Sequence, residues 1–481
     1  MTHLHAAEPS RRAFLSRGTF GIGSVALAWL LQQDELLAVP KNISVERKTY
    51  DLTPKMPPSP PRAQAMISLF MQGGPSQTDL LDPKQELDKR DGESYDGKVV
   101  FSFFNRATTK LLRSPWKFQQ HGQSGTAVSE LLPHIARIVD DICVIRSMHT
   151  DTNDHGTSLR KLDTGVSQPD RPTFGAWLTY GLGTENQNLP AYIVLTDPGG
   201  PPQFGVRQWS HGWLPSIYQG TVVRPKEPRI LNLDPPPHLR GTLQQQNMDF
   251  LQELNREYLE RHRGESDLEA RIAAYELAAR MQTAAKETLD ISRETKATHK
   301  LYGLDDPVTR DYGARCLIAR RLIERGVRFV QLFLPGQPFD THQKMRKKLP
   351  EICRKTDKPS AALVTDLKAR GLLDSTVVHW GGEFGRLPVS EGDPTTGGRD
   401  HNGEGFSIWL AGGGVRPGIT YGETCDFGHR AVVDKVSHND FQATLLHIFG
   451  LDHDQLTHIH NALEQKLTNN QPCRVVHDIL S

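Results

Sequence analysis

Six short apolar runs, each cut off by glycine, proline or a crowd of polar residues, constrain this chain more than any other feature. They are Ala65–Met71, Ile142–Ile145, Ala191–Leu195, Val327–Leu334, Thr376–Val378 and Phe406–Ala411. Runs this short and uniformly apolar read as buried strands. Helical spacing stands between several of them, over Ser129 to Val139, Cys316 to Arg325 and Pro359 to Gly371, and a capped amphipathic helix follows the last at Lys435–Gly450. The alternation predicts an α/β fold.

In open sheets of that class, ligands collect beyond the carboxyl ends of the strands. The stretch Thr376 to Asn402 is therefore the focus. Its apolar run leads into Gly381-Gly382, with Glu383 at the strand end, and seventeen residues on a glycine-loosened loop offers Asp400 and His401. Asp340 and His342 stand in the same relation to Val327–Leu334, as do Asp154 and His155 to Ile142–Ile145. Carboxylates and imidazoles so placed can hold zinc through nitrogen and oxygen, or manganese, calcium or magnesium through oxygen. Each group has a second reading as a helix cap or a hydrogen-bonded surface residue, and so do Asp79, Asp82, His438 and Asp440.

Charge excludes one class of partner. Lys plus Arg number 57 against 56 Asp plus Glu, a formal net charge of +1, so nothing marks the chain for nucleic acid. Its partners are expected to be small or neutral. The five cysteines have no CxxC spacing, which indicates neither a zinc ribbon nor a disulfide framework.

The amino terminus carries Ser10-Arg11-Arg12-Ala13-Phe14-Leu15 ahead of the uncharged run Gly18 to Leu31. This resembles a twin-arginine signal and implies export, to the periplasm or beyond. The run falls short of the roughly 20 residues of a comfortable membrane span, so no span is expected. The chain divides into a signal segment at 1–38, a proline-rich linker at 39–62 and a folded domain at 63–481. Within that domain, residues 242–300 are charged, free of proline and helix-favouring, which reads as a helical insertion. Gly199 to Tyr218, rich in glycine, proline and aromatics and carrying Arg207 and His211, is either a lid or a surface loop pinned by its tryptophans.

The motifs FMQGGPSQTDLLDPK, LIARRLIERGVRFVQLF, FDTH, EFGR, GRDHNGEGFSIWLAGGGV and TLLHIFGLDH run from about Ala65 to the carboxyl end. They resemble the exported family called domain of unknown function 1501. That family is grouped with alkaline phosphatases and sulfatases, which implies a doubly wound, mostly parallel sheet with a divalent metal site at the strand ends. The resemblance implies a metal set drawn from His155, Asp340, His342, Glu383, Asp400 and His401. Two departures matter. Sulfatases end their first strand with paired aspartates, where this chain has Gly73-Gly74, and they place a nucleophilic Cys or Ser where this chain has His155.

Two functions follow. The first is a metal-dependent hydrolase of sulfate or phosphate esters, of small molecules or glycans, with His155 as nucleophile or ligand and Arg386 or Arg399 binding the anion. The second is a non-catalytic periplasmic member that keeps the fold to bind a glycan or a protein.

Overall fold

The computed structural model describes residues 51–102, 107–231, 233, 236, 238, 241–261 and 266–481. The signal segment and the first part of the linker lie outside the described residues. Every apolar run becomes a strand of one nine-stranded sheet. Its strands are β1 (Ala65–Phe70), β2 (Ile142–His149), β3 (Tyr192–Leu195), β4 (Thr221–Val223), β5 (Phe329–Phe333), β6 (Thr376–Gly381), β7 (Phe406–Ala411), β8 (Ile419–Tyr421) and β9 (Val436–Ser437). The order is β8-β2-β7-β6-β1-β5-β3-β4, with β9 also paired to β2. Only β7 runs antiparallel to its neighbours β2 and β6.

Among the described residues, seven longer helices position the rest: α1 (His155–Thr164), α2 (Phe174–Leu182), α3 (Thr242–Arg261), α4 (Ser266–Leu289), α5 (Arg310–Glu324), α6 (Met345–Ala369) and α7 (His438–Ile448). Most strand residues are apolar because both sheet faces are covered. Ile67, Leu69, Val330, Val378 and Trp409 face a core shared with α5 and α6. Their neighbours Met66, Phe70, Phe329, Val377 and Leu410 face an opposite core shared with α2 and α7. This two-sided covering is the doubly wound arrangement. At roughly 1.5–3 kcal/mol per fully buried large side chain, the two cores dominate folding.

Three local differences have physical causes. Residues 135–141 form a 3-10 turn rather than the α-helix expected from Ser129. The helix expected to start at Pro359 starts at Met345 and runs through Pro350 and Pro359. Leu349, Ile352, Cys353, Leu363 and Leu367 are all buried on one side of it, so packing of that face outweighs two missing N–H donors. The proline-rich stretch is anchored from 51 onward: Leu52 is buried, and the N–H groups of Lys55, Ser59 and Arg62 donate to the carbonyls of Leu182, Gly450 and Ile448. Among the described residues, no helix is long and apolar enough to cross a membrane.

Candidate metal centre

The strand ends gather the acids and imidazoles into one place. Beyond β5 the chain turns back at Asp340 and His342, beyond β6 it reaches Glu383, and the loop after β2 delivers His155 as the first residue of α1. A small antiparallel pair, Gly385–Arg386 with His401–Asn402, sets Arg386 directly opposite His401. Gly73, at the end of β1, has φ +100°, and a Cβ there would stand 2.5 Å from the Asp340 nitrogen. Glycine is needed for the first strand to approach the Asp340 loop this closely. Gly398 serves likewise, since a side chain would collide with the Thr341 carbonyl.

One carboxylate oxygen is the hub. Asp340 Oδ1 lies 3.3 Å from His155 Nε2, 3.0 Å from His342 Nε2, 3.2 Å from His401 Nε2 and 2.6 Å from Arg386 Nη2. His342 Nε2 and His401 Nε2 are 2.8 Å apart. The other nitrogen of each ring faces an acceptor. His155 Nδ1 donates to Glu383 Oε1 at 2.6 Å, His401 Nδ1 to the Asn153 carbonyl at 2.7 Å, and His342 Nδ1 to Glu391. An acceptor at Nδ1 places the proton there and leaves Nε2 as a lone pair, so three lone pairs turn toward one another. Lone pairs cannot stand 2.8 Å apart without a proton or a cation to relieve them.

The residues fit a divalent ion by a test internal to the site. Apart from its 3.3 Å approach to Asp340 Oδ1, His155 Nε2 is buried and makes no hydrogen bond, a state that costs free energy unless a ligand takes the lone pair. Ligand atoms of His155, Asp340 and His401 lie within 4.8 Å of one another, and so do those of His342, Asp400 and His401. Imidazole held by carboxylate or carbonyl at Nδ1 is the usual second layer of a metal site.

Protons compete with a cation for these lone pairs, most strongly at His342. Burial opposes ionisation of Asp340, yet Arg386 and the three imidazoles hold its carboxyl far below the ordinary range. Burial likewise opposes the charged form of His342, but Asp340 and Glu391 push it up to about 9. His155 is raised by Asp340 and Glu383 against burial, while burial leaves His401 lowered. The opening to solvent is on one side, where the Asp340 and His342 side chains are 24% and 23% exposed against 10% and 9% for His155 and His401.

The other expected residues also make bonds within the protein, Asp400 while staying within ligand reach of His342 and His401. Glu383 is fully buried, accepting from the Gly73 N–H at 3.0 Å as well as from His155. Asp400 accepts from Ser102 N at 2.9 Å, from Ser102 Oγ at 2.5 Å and from its neighbour His401 N at 2.7 Å. Arg386, fully buried, donates from Nε to the Gly74 carbonyl at 3.0 Å, from Nη1 to the Arg399 carbonyl at 3.2 Å, and from Nη2 to the Gly73 carbonyl besides Asp340. Arg399 forms a two-pronged pair with Asp79 at 2.7 and 3.1 Å, both groups fully buried. Asp82 pairs with Lys84 at 3.0 Å, Asp154 caps α1 through Thr157 N at 2.8 Å, and Asp440 completes a capping box with Ser437. Sequence reasoning passed over Glu391. The signal was present in the same stretch, as an acid before Gly392 midway between Glu383 and Asp400.

Solved structures that superpose on the chain include a phosphonate monoester hydrolase from Silicibacter pomeroyi, at 9% identity and TM-score 0.35, covering 73% of this chain and 71% of that one. A sulfatase from Pseudoalteromonas sp. matches at 14% identity and TM-score 0.32, covering 66% of this chain and 62% of that one. The lipoteichoic acid synthase LtaP from Listeria monocytogenes matches at 9% identity and TM-score 0.26, covering 81% and 73%. Superpositions this partial carry no argument about chemistry. No curated protein matches the sequence. The model of the family described as protein of unknown function (DUF1501) matches residues 63–480, nearly the whole folded part, and the chain belongs to that family.

Proposed function

We propose that this chain is an exported, metal-dependent hydrolase of sulfate or phosphate esters. The observation that carries the reading is the convergence of three imidazole Nε2 atoms on Asp340, each ring fixed through Nδ1 by Glu383, Glu391 or the Asn153 carbonyl. His155, His342, His401 and Asp340 are the ligands in this reading. A set of three nitrogens and one oxygen suits zinc better than manganese, calcium or magnesium, which favour oxygen sets. When bound, such an ion supplies Lewis acidity toward an ester oxygen.

The chain's own residues do the rest. Glu383 and Glu391 hold His155 and His342 in the tautomer that presents Nε2. Arg386 is a positioning residue: it ties Asp340 to the end of β1 and faces no open space. Arg399, locked to Asp79, steadies the loop that carries Asp400 and His401. The exposed edges of Asp340 and His342 define the side from which an ester approaches.

Elemental analysis of protein exported and purified without added metal tests the centre. About one divalent ion per chain is expected, and its near-complete loss in His342→Ala and in His401→Ala. Substoichiometric metal that these changes leave untouched rejects the reading. A panel of sulfate and phosphate esters then tests turnover. One observation favours a second reading, a non-catalytic member that binds a glycan or a protein: His155, at the place of the sulfatase nucleophile, has one ring nitrogen bound to Glu383 and the other turned into the histidine cluster. Full metal occupancy without turnover of any ester would decide for it. Export rests on the twin-arginine resemblance, and Arg11→Lys with Arg12→Lys should leave the protein in the cytoplasm; undiminished export would reject that route.

A further inference from the structure

A second pocket lies behind the helix that carries His155, between α1, the 166–171 loop and the Gly205–Trp209 turn. Its volume is about 50 Å³. A single water needs roughly 10–15 Å³ on that measure, so the space admits a group of several heavy atoms and not a whole sugar ring or peptide.

Its lining has positive charge without counter-charge. Arg160, Arg171 and Arg207 all border it, and among the described residues none of the three has a carboxylate at ion-pair distance. Arg171 is the most telling. Its Nη1 and Nη2 donate to Gln465 Oε1 and the Lys466 carbonyl, both at 2.8 Å, and its guanidinium lies over the Trp213 ring, so the side chain is held in place. Its Nε is buried and has no partner. Burial alone lowers its proton affinity, with no acid nearby to restore it. Gln208, from the facing turn, is 2% exposed, and neither its amide nitrogen nor its amide oxygen has a partner. Arg171 and Gln208 line one cavity, and each keeps a buried donor without a partner.

Acids do not cancel this balance. Asp170 stands at the exposed rim. Asp163 lies deeper, shared with a narrower cavity beneath Ser68 and His379, and burial, with Glu383 adding to it, keeps its carboxyl well above the usual range. Leu159 and Phe204 form the apolar part of the wall, and Phe204 packs close to Gly156, the residue after His155.

We propose that this pocket binds the oxyanion head, carboxylate or sulfate, of a small organic anion, with Arg171 and Gln208 as its donors and Arg160 and Arg207 as its positive surround. The body of the ligand lies outward against Phe204. The site stands whether or not the metal centre is catalytic, since none of its groups is a ligand of that centre.

Calorimetric titration of the full chain with D-glucuronate, phenyl sulfate and inorganic sulfate, with D-glucose as the neutral control, tests it. A ring-borne anion is expected to bind while glucose does not. Arg171→Gln should weaken that binding about tenfold or more, the loss of one charge-assisted hydrogen bond, with the metal content unchanged. Arg207→Gln, on the exposed rim, should weaken it about threefold and serves if Arg171→Gln does not fold. Glucuronate or phenyl sulfate as the tighter ligand tells a carboxylate source from a sulfate source. Four results would overturn the proposal: no heat from any anion, glucose binding equal to glucuronate, inorganic sulfate matching both organic anions, or unchanged affinity in both variants.

Discussion

Two of the charge clusters inside this protein differ in what is left over once every pair is drawn. In one, Arg320 reaches Glu294, Glu324 and Asp366, while Arg370 reaches Asp366 and Glu324 and Arg321 reaches Glu294. Each cation faces carboxylates, the Tyr302 hydroxyl donates to Asp366 at 3.0 Å, and the network closes on itself between α5 and α6. In the other, Asp340 is approached by Arg386 and three imidazoles whose Nε2 lone pairs face each other. A closed set of opposite charges is a brace. A convergent set of lone pairs is a receptacle, because only a cation or protons complete it.

Breaking the brace should have the largest effect on stability. Arg320→Met, which takes the shared cation of three carboxylates out of a buried site, is expected to lower unfolding free energy by about 3–5 kcal/mol in denaturant titration, with the metal content unchanged. Metal loss in that variant would show that the two clusters are not separable. Emptying the receptacle comes next: chelation should lower stability by about 4 kcal/mol where free ion stands at a thousandfold of its Kd, read as a drop in Tm that added ion restores. An unmoved Tm would mean that no ion is held. Smaller still, Glu391→Gln keeps all four ligands but loosens His342, and metal affinity should fall about 10- to 100-fold in competition with a chelating dye. Affinity equal to the parent's would remove Glu391 from the centre.

A pH test sets the three central imidazoles against one that has no charged partner. His379 is buried on β6, with Nδ1 3.1 Å from Ser68 Oγ, and burial lowers it to about 3. A folded value below the unfolded one, near 6.5, means stability that is full above pH 6.5 and lost as pH falls toward 3. His379→Asn should flatten the fall of Tm across that window. An unchanged pH profile would assign the acid sensitivity elsewhere.

Much of the architecture was legible because burial on both sheet faces leaves a plain mark, an apolar run with no alternation. Six of the nine strands show it, while β4, β8 and β9 are too short to stand out. The start of α6 was misplaced at Pro359 because proline is read as a breaker, and only the packing of Leu349 and Ile352 reveals the longer helix. The site was half legible. His155, Asp340, His342 and His401 each follow a strand, but nothing in their spacing tells a ligand from a second-layer acid.

What the chain determined by itself is which residues arrive at the strand ends, since strand and helix periods and the glycine stops are local properties. What only the tertiary structure decided is which atom of each residue faces which. Glu383 meets the Gly73 N–H and His155 Nδ1, and Asp400, which lies within ligand reach of His342 and His401, also accepts from Ser102. Arg386 and Arg399 looked free to meet an anion, and both are buried on carbonyls and carboxylates. Those partners come from segments hundreds of residues apart, so the choice between ligand and brace is made by long-range packing.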